Sequence, residues 1–202
     1  MQEEVKPKRK SSQERKDEIL QTLAIMLQNP NQVRITTASL AKEVGVSEAA
    51  LYRHFKNKAG IYLGLIEFIE HSLFTRINLI MKEQESTLAR CQDLLTLLLA
   101  FAQHNPGLSR LLTGEALIGE DELLLNRITR VFDRVETQIK QALRDTEIRE
   151  GKQVALSTTA AASMLLAIAE GRIVQFVRSG FKRLPLHEWE TQWQHLAKGL
   201  II

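Results

Sequence analysis

The chain of 202 residues holds a single cysteine, Cys91, so it can form neither an intramolecular disulfide nor a cysteine-ligated zinc cluster, a usage compatible with a reducing cytosol. Long apolar runs are also lacking. The longest, residues 94–102 with Thr96 inside it, is about nine residues, roughly half what a bilayer-spanning helix needs. Charged residues run from the start through Arg15 and Lys16, with no apolar segment of the kind a secretory signal carries. The expectation is a soluble cytoplasmic protein without a membrane-spanning segment. No GxxxxGK[ST] phosphate loop, HExxH zinc helix or G-x-S-x-G nucleophile elbow occurs. The histidines, His54, His71, His104, His187 and His195, make no tight ligand set. Neither catalysis, a metal nor a cofactor is expected. The acidic run Glu120-Asp121-Glu122 reads as a helix start, a solvated turn or a weak attraction for magnesium.

What is present is a globular composition, 44% hydrophobic and 25% charged, with enough length for one large domain or a small one joined to a bigger one. The net charge of +3 is too small to imply nucleic acid by itself. Its placement says more. Residues up to Gly60 carry 11 Lys and Arg against 7 Asp and Glu, and the remainder 16 against 17. Most of the early excess comes from Lys6, Lys8, Arg9, Lys10, Arg15 and Lys16. Residues 1–11 read as a flexible basic arm, either a solubilising tail or a source of phosphate attraction in which Arg9 and Lys10 are the candidate contacts.

Three short helices are predicted next, in a domain over residues 12–57. Ile19, Leu20, Leu23, Ala24, Met26 and Leu27 recur at helical spacing over residues 14–28, with a start at or near Ser12 and a stop at Asn29-Pro30-Asn31. Thr36 or Thr37 can cap a second helix carrying Leu40, Ala41 and Val44, and Gly45 supplies a permissive turn position. Ser47 can cap a third through about His54. The short Gly45-Val46-Ser47 link matches a helix-turn-helix, although a motif that serves only packing would look the same.

In a helix-turn-helix the second helix offers its N-terminal side to the major groove, roughly 12 Å wide. Glu48, Ala49 and Ala50 keep the approach shallow, while Thr37, Ser47, Tyr52, His54 and Lys58 can meet bases or phosphates. No Arg or Gln lies in the first turn, so most contacts are expected to position the backbone. The full candidate set is Arg9, Lys10, Thr36, Thr37, Ser47, Glu48, Ala49, Ala50, Tyr52, Arg53, His54 and Lys58. Tyr52 and Phe55 are also expected to place their rings in the small core.

Residues 58–202 read as a larger helical domain. A long helix spans residues 58–81, with Ile61, Leu65, Phe68, Ile69, Ser72, Leu73, Ile77 and Ile80 as its stripe. Helices follow over residues 87–104 and 122–150, with Asn105-Pro106-Gly107 stopping the former before a short segment around residues 108–113. The last two helices are placed at residues 153–178 and 186–200. Small residues on the former suit close helix approach, and Trp189 and Trp193 share a face that fits a core or an interface.

Thr36-Thr37, Leu40-Ala41-Lys42-Glu43-Val44-Gly45-Val46-Ser47, Ala50-Leu51-Tyr52-Arg53-His54-Phe55 and Lys58 together resemble the DNA-binding signature of the TetR family of bacterial regulators. The resemblance implies an all-α homodimer: an N-terminal three-helix helix-turn-helix domain that binds palindromic double-stranded DNA, and a larger C-terminal helical dimerisation domain. Arg34-Ile-Thr-Thr, Leu65-Ile-Glu-Phe-Ile-Glu, Thr75-Arg-Ile-Asn-Leu-Ile, Asn105-Pro-Gly-Leu and Phe176-Val-Arg-Ser extend the likeness toward that family's nucleoid occlusion members. It then implies a cytoplasmic, nucleoid-associated dimer that engages the division protein FtsZ and blocks division-ring assembly over the chromosome, with higher-order assembly on DNA left open. The implied partner contacts are Phe68, Arg76, Leu97, His104 and Asn105; His104 stands where an arginine is expected. The rival functions are a transcriptional repressor controlled by a small-molecule ligand and a helical interaction protein without a DNA role.

Overall fold

The computed structural model describes residues 11–29 and 34–202. The proposed contacts Arg9 and Lys10, with the rest of residues 1–10, lie outside the described residues. The first three helices are α1 (Ser12–Met26), α2 (Thr37–Val44) and α3 (Glu48–Leu51). Ser11 starts α1 with a capping box: its hydroxyl accepts from the Glu14 amide, and the Glu14 carboxylate accepts from the Ser11 amide. Ile19 and Leu23 face inward from α1 and meet Leu40, Leu51 and Ile61 in the shared core.

The long α4 (Lys58–Glu83), capped by the Asn57 side chain, runs from this small unit into a bundle of α5 (Thr87–His104), α6 (Pro106–Leu112), α7 (Glu122–Glu150), α8 (Thr158–Arg178) and α9 (Trp189–Lys198). The link between α4 and α5 is three residues long, so the two helices return antiparallel. The bundle packs on the small unit through α4 and α6, and Gly107 of α6 lies tight against α1. A Cβ there would come within 2.1 Å of the Ala24 carbonyl oxygen, so only glycine admits this approach of α6 to α1.

Four expectations are corrected. The third helix ends as an α-helix at Leu51, and residues 52–54 form a turn in which the His54 amide bonds to the Leu51 carbonyl at 2.9 Å. α5 does stop at His104, as expected, but the next helix starts at Pro106 and not near residue 108, because a proline at the first position gives up an amide that would be unpaired anyway. α8 starts at Thr158, since residues 153–155 exchange backbone hydrogen bonds with residues 200–202 instead of with their neighbours. α9 starts at Trp189, after Glu188 in a left-handed conformation with φ 57°. α8 is also long and apolar enough to cross a membrane by length and composition alone, a test that the core helix of a bundle passes equally.

α8 divides its apolar content between two faces. Ala161, Ala162, Leu165, Leu166, Ala169, Ile173 and Phe176 are buried in the chain, whereas Ala160, Ser163, Met164, Ala167, Gly171 and Val174 are exposed. Both tryptophans are buried, and Trp189 donates its indole N–H to the Thr96 hydroxyl at 2.8 Å. Their placement is therefore in the core of the chain, between α9 and α5.

Candidate nucleic-acid interface

Local backbone chemistry builds the helix-turn-helix. The Thr36 hydroxyl accepts from the Ser39 amide at 3.1 Å and the Ser39 hydroxyl lies 3.0 Å from the Thr36 amide, closing a capping box on α2. Gly45 ends α2 at φ 77°; nothing lies within 4 Å of a Cβ there, so the constraint is conformational and not steric. The Ser47 hydroxyl then accepts from the Ala50 amide at 3.2 Å and starts α3. A further brace crosses the motif, in which the Thr37 hydroxyl donates to Glu48 Oε2 at 2.7 Å. The contact ties the start of α2 to the start of α3 and fixes the orientation of the second helix against the first.

On this scaffold Thr36, Ser47, Glu48, Ala49, Tyr52 and Arg53 are exposed, and Thr37, Ala50 and His54 are half-buried. Tyr52 is 45% exposed, so its ring stands at the surface and not in the small core, which Phe55 enters alone of the pair. The turn at residues 52–54 carries it outward. His54 Nδ1 lies 3.4 Å from the Ser12 hydroxyl, which holds the ring against the start of α1. Arg34, Lys42 and Lys56 add exposed positive charge to the same unit.

Lys58 has a partner that reading along the chain did not find. Its ammonium pairs with the Glu120 carboxylate, with the two side chains 23% and 10% exposed, and it also lies 5.5 Å from the centre of the Tyr62 ring. Burial, with the Glu120 charge as the second cause, pushes the Tyr62 hydroxyl up to about 12. The acidic run thus divides its work. Asp121 caps α7 by accepting from the Leu123 amide at 2.9 Å, and Glu120 anchors the start of α4. A pair separated by 62 residues leaves no periodic signal in the sequence.

The proposed partner contacts lie along α4 and α5. Phe68, 50% exposed, and Arg76 stand two turns apart on the open side of α4. Arg76 and Leu97 line one groove of about 410 Å³, together with Leu79, Ile80, Glu83 and Asp93. His104 and Asn105 sit at the far end of α5, where the His104 Nδ1 is 2.7 Å from the Ala100 carbonyl and the Asn105 side-chain Nδ2 donates to the Phe101 carbonyl at 2.8 Å. The structure therefore brings Arg76 and Leu97 into one groove. It places Phe68 with His104 and Asn105 toward the end of the helix pair nearer the DNA-reading unit.

The chain matches two family models: bacterial regulatory proteins of the tetR family over residues 34–65, and the tetracyclin repressor-like C-terminal domain of the SlmA-like type over residues 85–201. It is 56% identical over 187 residues to the nucleoid occlusion factor SlmA of Shewanella pealeana, covering 93% of this chain and 95% of that protein. Against the nucleoid occlusion factor SlmA of a Marinomonas species the identity is 53% over 189 residues, covering 94% and 96%. A TetR transcription regulator from Haloarcula marismortui has the same fold, with a TM-score of 0.78 at 20% identity over 94% of this chain and all of that one. The FadR regulator from Bacillus subtilis, solved with stearoyl-CoA, aligns with a TM-score of 0.76 at 15% identity over 91% and 98%.

Proposed function

The chain belongs to the tetR family of bacterial regulatory proteins, within its nucleoid occlusion factors, and from that premise we infer that it binds DNA and prevents division-ring assembly over the chromosome by engaging FtsZ. It works as a DNA-bound regulator on the nucleoid and not as an enzyme. The observation that carries this reading is that the likeness to nucleoid occlusion factors spans the helix-turn-helix and the bundle alike. A repressor sharing only the tetR motif would match in the first alone.

The finer assignments follow. The exposed side chains Thr36, Ser47, Tyr52 and Arg53, with Thr37 and His54 beside them, meet the duplex, most of them on the phosphate backbone. Arg9 and Lys10 add sequence-independent attraction. A palindromic site calls for two copies related by a two-fold axis. The exposed face of α8 supports that arrangement, because Ala160, Ser163, Ala167 and Gly171 allow a second helix to approach closely while Met164 and Val174 supply apolar area. The groove at Arg76 and Leu97, extended by Phe68, His104 and Asn105, receives a segment of FtsZ; Arg76 steers acidic residues and Phe68 and Leu97 take apolar ones.

Sedimentation of FtsZ polymers with the protein and DNA carrying its preferred palindrome tests the reading. The expected result is loss or reorganisation of the pelleted polymer, stronger with DNA than without it. Polymers indifferent to the protein in both conditions would refute the FtsZ assignment, while DNA binding measured alongside stands or falls separately.

A further inference from the structure

One strongly charged region takes no part in either surface. Between Gly171 and His187 the sequence contains Arg172, Arg178, Lys182 and Arg183 and no Asp or Glu, which leaves the rest of the chain after Gly60 with 12 basic against 17 acidic residues. In the fold this stretch forms the end of α8 and the link to α9. Arg172, Lys182, Arg183 and His187 line one cavity of about 460 Å³, and its other polar walls are Gln175 and Gln192. No carboxylate lines it.

The cavity is held in shape by contacts that engage Arg172 and leave Lys182 and Arg183 without a carboxylate partner among the described residues. Arg172 forms the floor, donating from Nε to the Pro185 carbonyl at 2.6 Å and from its two terminal nitrogens to the His187 carbonyl and Gln192 Oε1. Those acceptors are neutral, and the guanidinium also lies 5.6 Å from the centre of the Trp189 ring, so its charge is met by dipoles and a π face and by no carboxylate. The Ser179 hydroxyl accepts from the Lys182 and Arg183 amides at 3.1 and 2.9 Å, and Phe181, in a left-handed conformation at φ 67°, packs its ring 5.2 Å from Phe176. The Leu186 amide donates to Gln103 Oε1 at 3.2 Å and ties the link to α5. Among the described residues neither Lys182 nor Arg183 has an ion-pair partner, and both are exposed. Like charges gathered on a braced loop repel one another, a cost that an anion removes.

We propose that this cavity is an anion site that takes a phosphoryl group, with Lys182 and Arg183 as its direct contacts. A guanidinium presents paired donors that match phosphate oxygens, and the adjacent ammonium and the Arg172 floor add charge at short range. α3 packs on α2, whereas α8 packs on α5, α6 and α7, so the residues of the cavity stand on elements other than those of the recognition face. The phosphoryl group comes either from a free anion or from the backbone of a nucleic acid, and two titrations on the full chain separate those sources.

In the first, inorganic pyrophosphate is titrated calorimetrically at low salt into the wild type, a K182Q/R183Q variant and a K198Q control. Saturable binding of one pyrophosphate per chain, weakened at least tenfold in the double variant and unchanged in the control, supports a free-anion site. In the second, an unrelated duplex is titrated at several salt concentrations. A log-log salt slope about two units shallower in the double variant supports a nucleic-acid source, because each lost phosphate contact removes about 0.9 from the slope. If both pyrophosphate affinity and salt slope match the wild type, the proposal is overturned. It is overturned equally if the double variant changes oligomeric state on gel filtration, since the cations then belong to a contact between copies. Both residues are exposed, and an unchanged thermal melt verifies that the variant folds.

Discussion

The helix-turn-helix and the junction that carries it differ in the reach of the contacts that set them. Thr37 and Glu48 brace α2 on α3 across 11 residues, and the caps of the motif lie within three or four residues of their partners. The junction depends on Lys58 and Glu120, 62 residues apart, and on Arg110, which donates to the carbonyl oxygens of Leu27 and Asn29 across 83 and 81 residues. The DNA-reading geometry is thus a local property, while the angle at which it meets the bundle is a tertiary one. Substitutions in the two regions should therefore separate binding from coupling.

The largest effect is expected inside the small unit. Leu51 is wholly buried in the short α3, and Leu51→Ala should lose about 2 to 5 kcal/mol of stability, as large-to-small changes in cores do. Because α3 is four residues long, the same change should release the recognition surface. Urea unfolding followed beside DNA anisotropy checks both; a stable variant that still bound its site would show that α3 does not depend on this anchor. Gly107→Ala comes next, at about 1 to 3 kcal/mol, since the added methyl meets the Ala24 backbone. Its mark should be a changed response between domains: DNA affinity falls while the isolated caps of α2 remain protected in hydrogen exchange. Equal loss of protection in α2 would place the damage within the motif.

This difference in reach also decides what could be read from the sequence. α5 and α7 have the boundaries expected, because Ser86 and Asp121 cap their starts and Asn105 and Gly151 mark their ends, all adjacent in the chain. The helix-turn-helix was legible for the same reason, from Thr36, Gly45 and Ser47. α8 was misplaced by five residues since residues 153–155 pair with the end of the chain, a partner no local pattern announces. Among the candidate contacts, Tyr52 was expected in the core because aromatic rings usually are, and the turn after Leu51 carries it outward instead. The Arg76 and Leu97 groove depends on how α4 meets α5 and came into view only through the family likeness.

A smaller effect tests the junction itself. Glu120→Gln removes the charge that engages Lys58, with an expected loss of about 1 kcal/mol, less than for a fully buried pair because the lysine retains some solvent. The freed ammonium becomes available to phosphate. DNA binding should then tighten at low salt, with a salt slope steeper by about one contact. An unchanged slope together with lost stability would assign Lys58 to the junction alone and remove it from the DNA interface.

The smallest effect contrasts two carboxylates within the bundle. Burial, helped by the nearby Glu136 and Asp133 charges, raises the Glu170 carboxyl above its ordinary 4.5, while the Thr87 amide bonded to Glu150 lowers that one. The folded chain therefore holds the Glu170 proton more tightly than the unfolded chain, so its contribution to stability is complete below 4.5 and is lost as pH rises through the folded value. For Glu150 the sign is opposite: the contribution is present above 4.5 and disappears as pH falls through its lowered value. Urea midpoints measured across this range should show Glu170→Gln flattening the decline on the alkaline side and Glu150→Gln flattening the acid limb. Glu170 also borders the exposed face of α8, in the cleft lined by Ser163 and Ala167. If two copies meet there, burying that carboxyl further, the Glu170→Gln difference should grow with protein concentration, whereas the Glu150→Gln difference should not. Concentration-independent behaviour of both variants would remove Glu170 from the contact between copies.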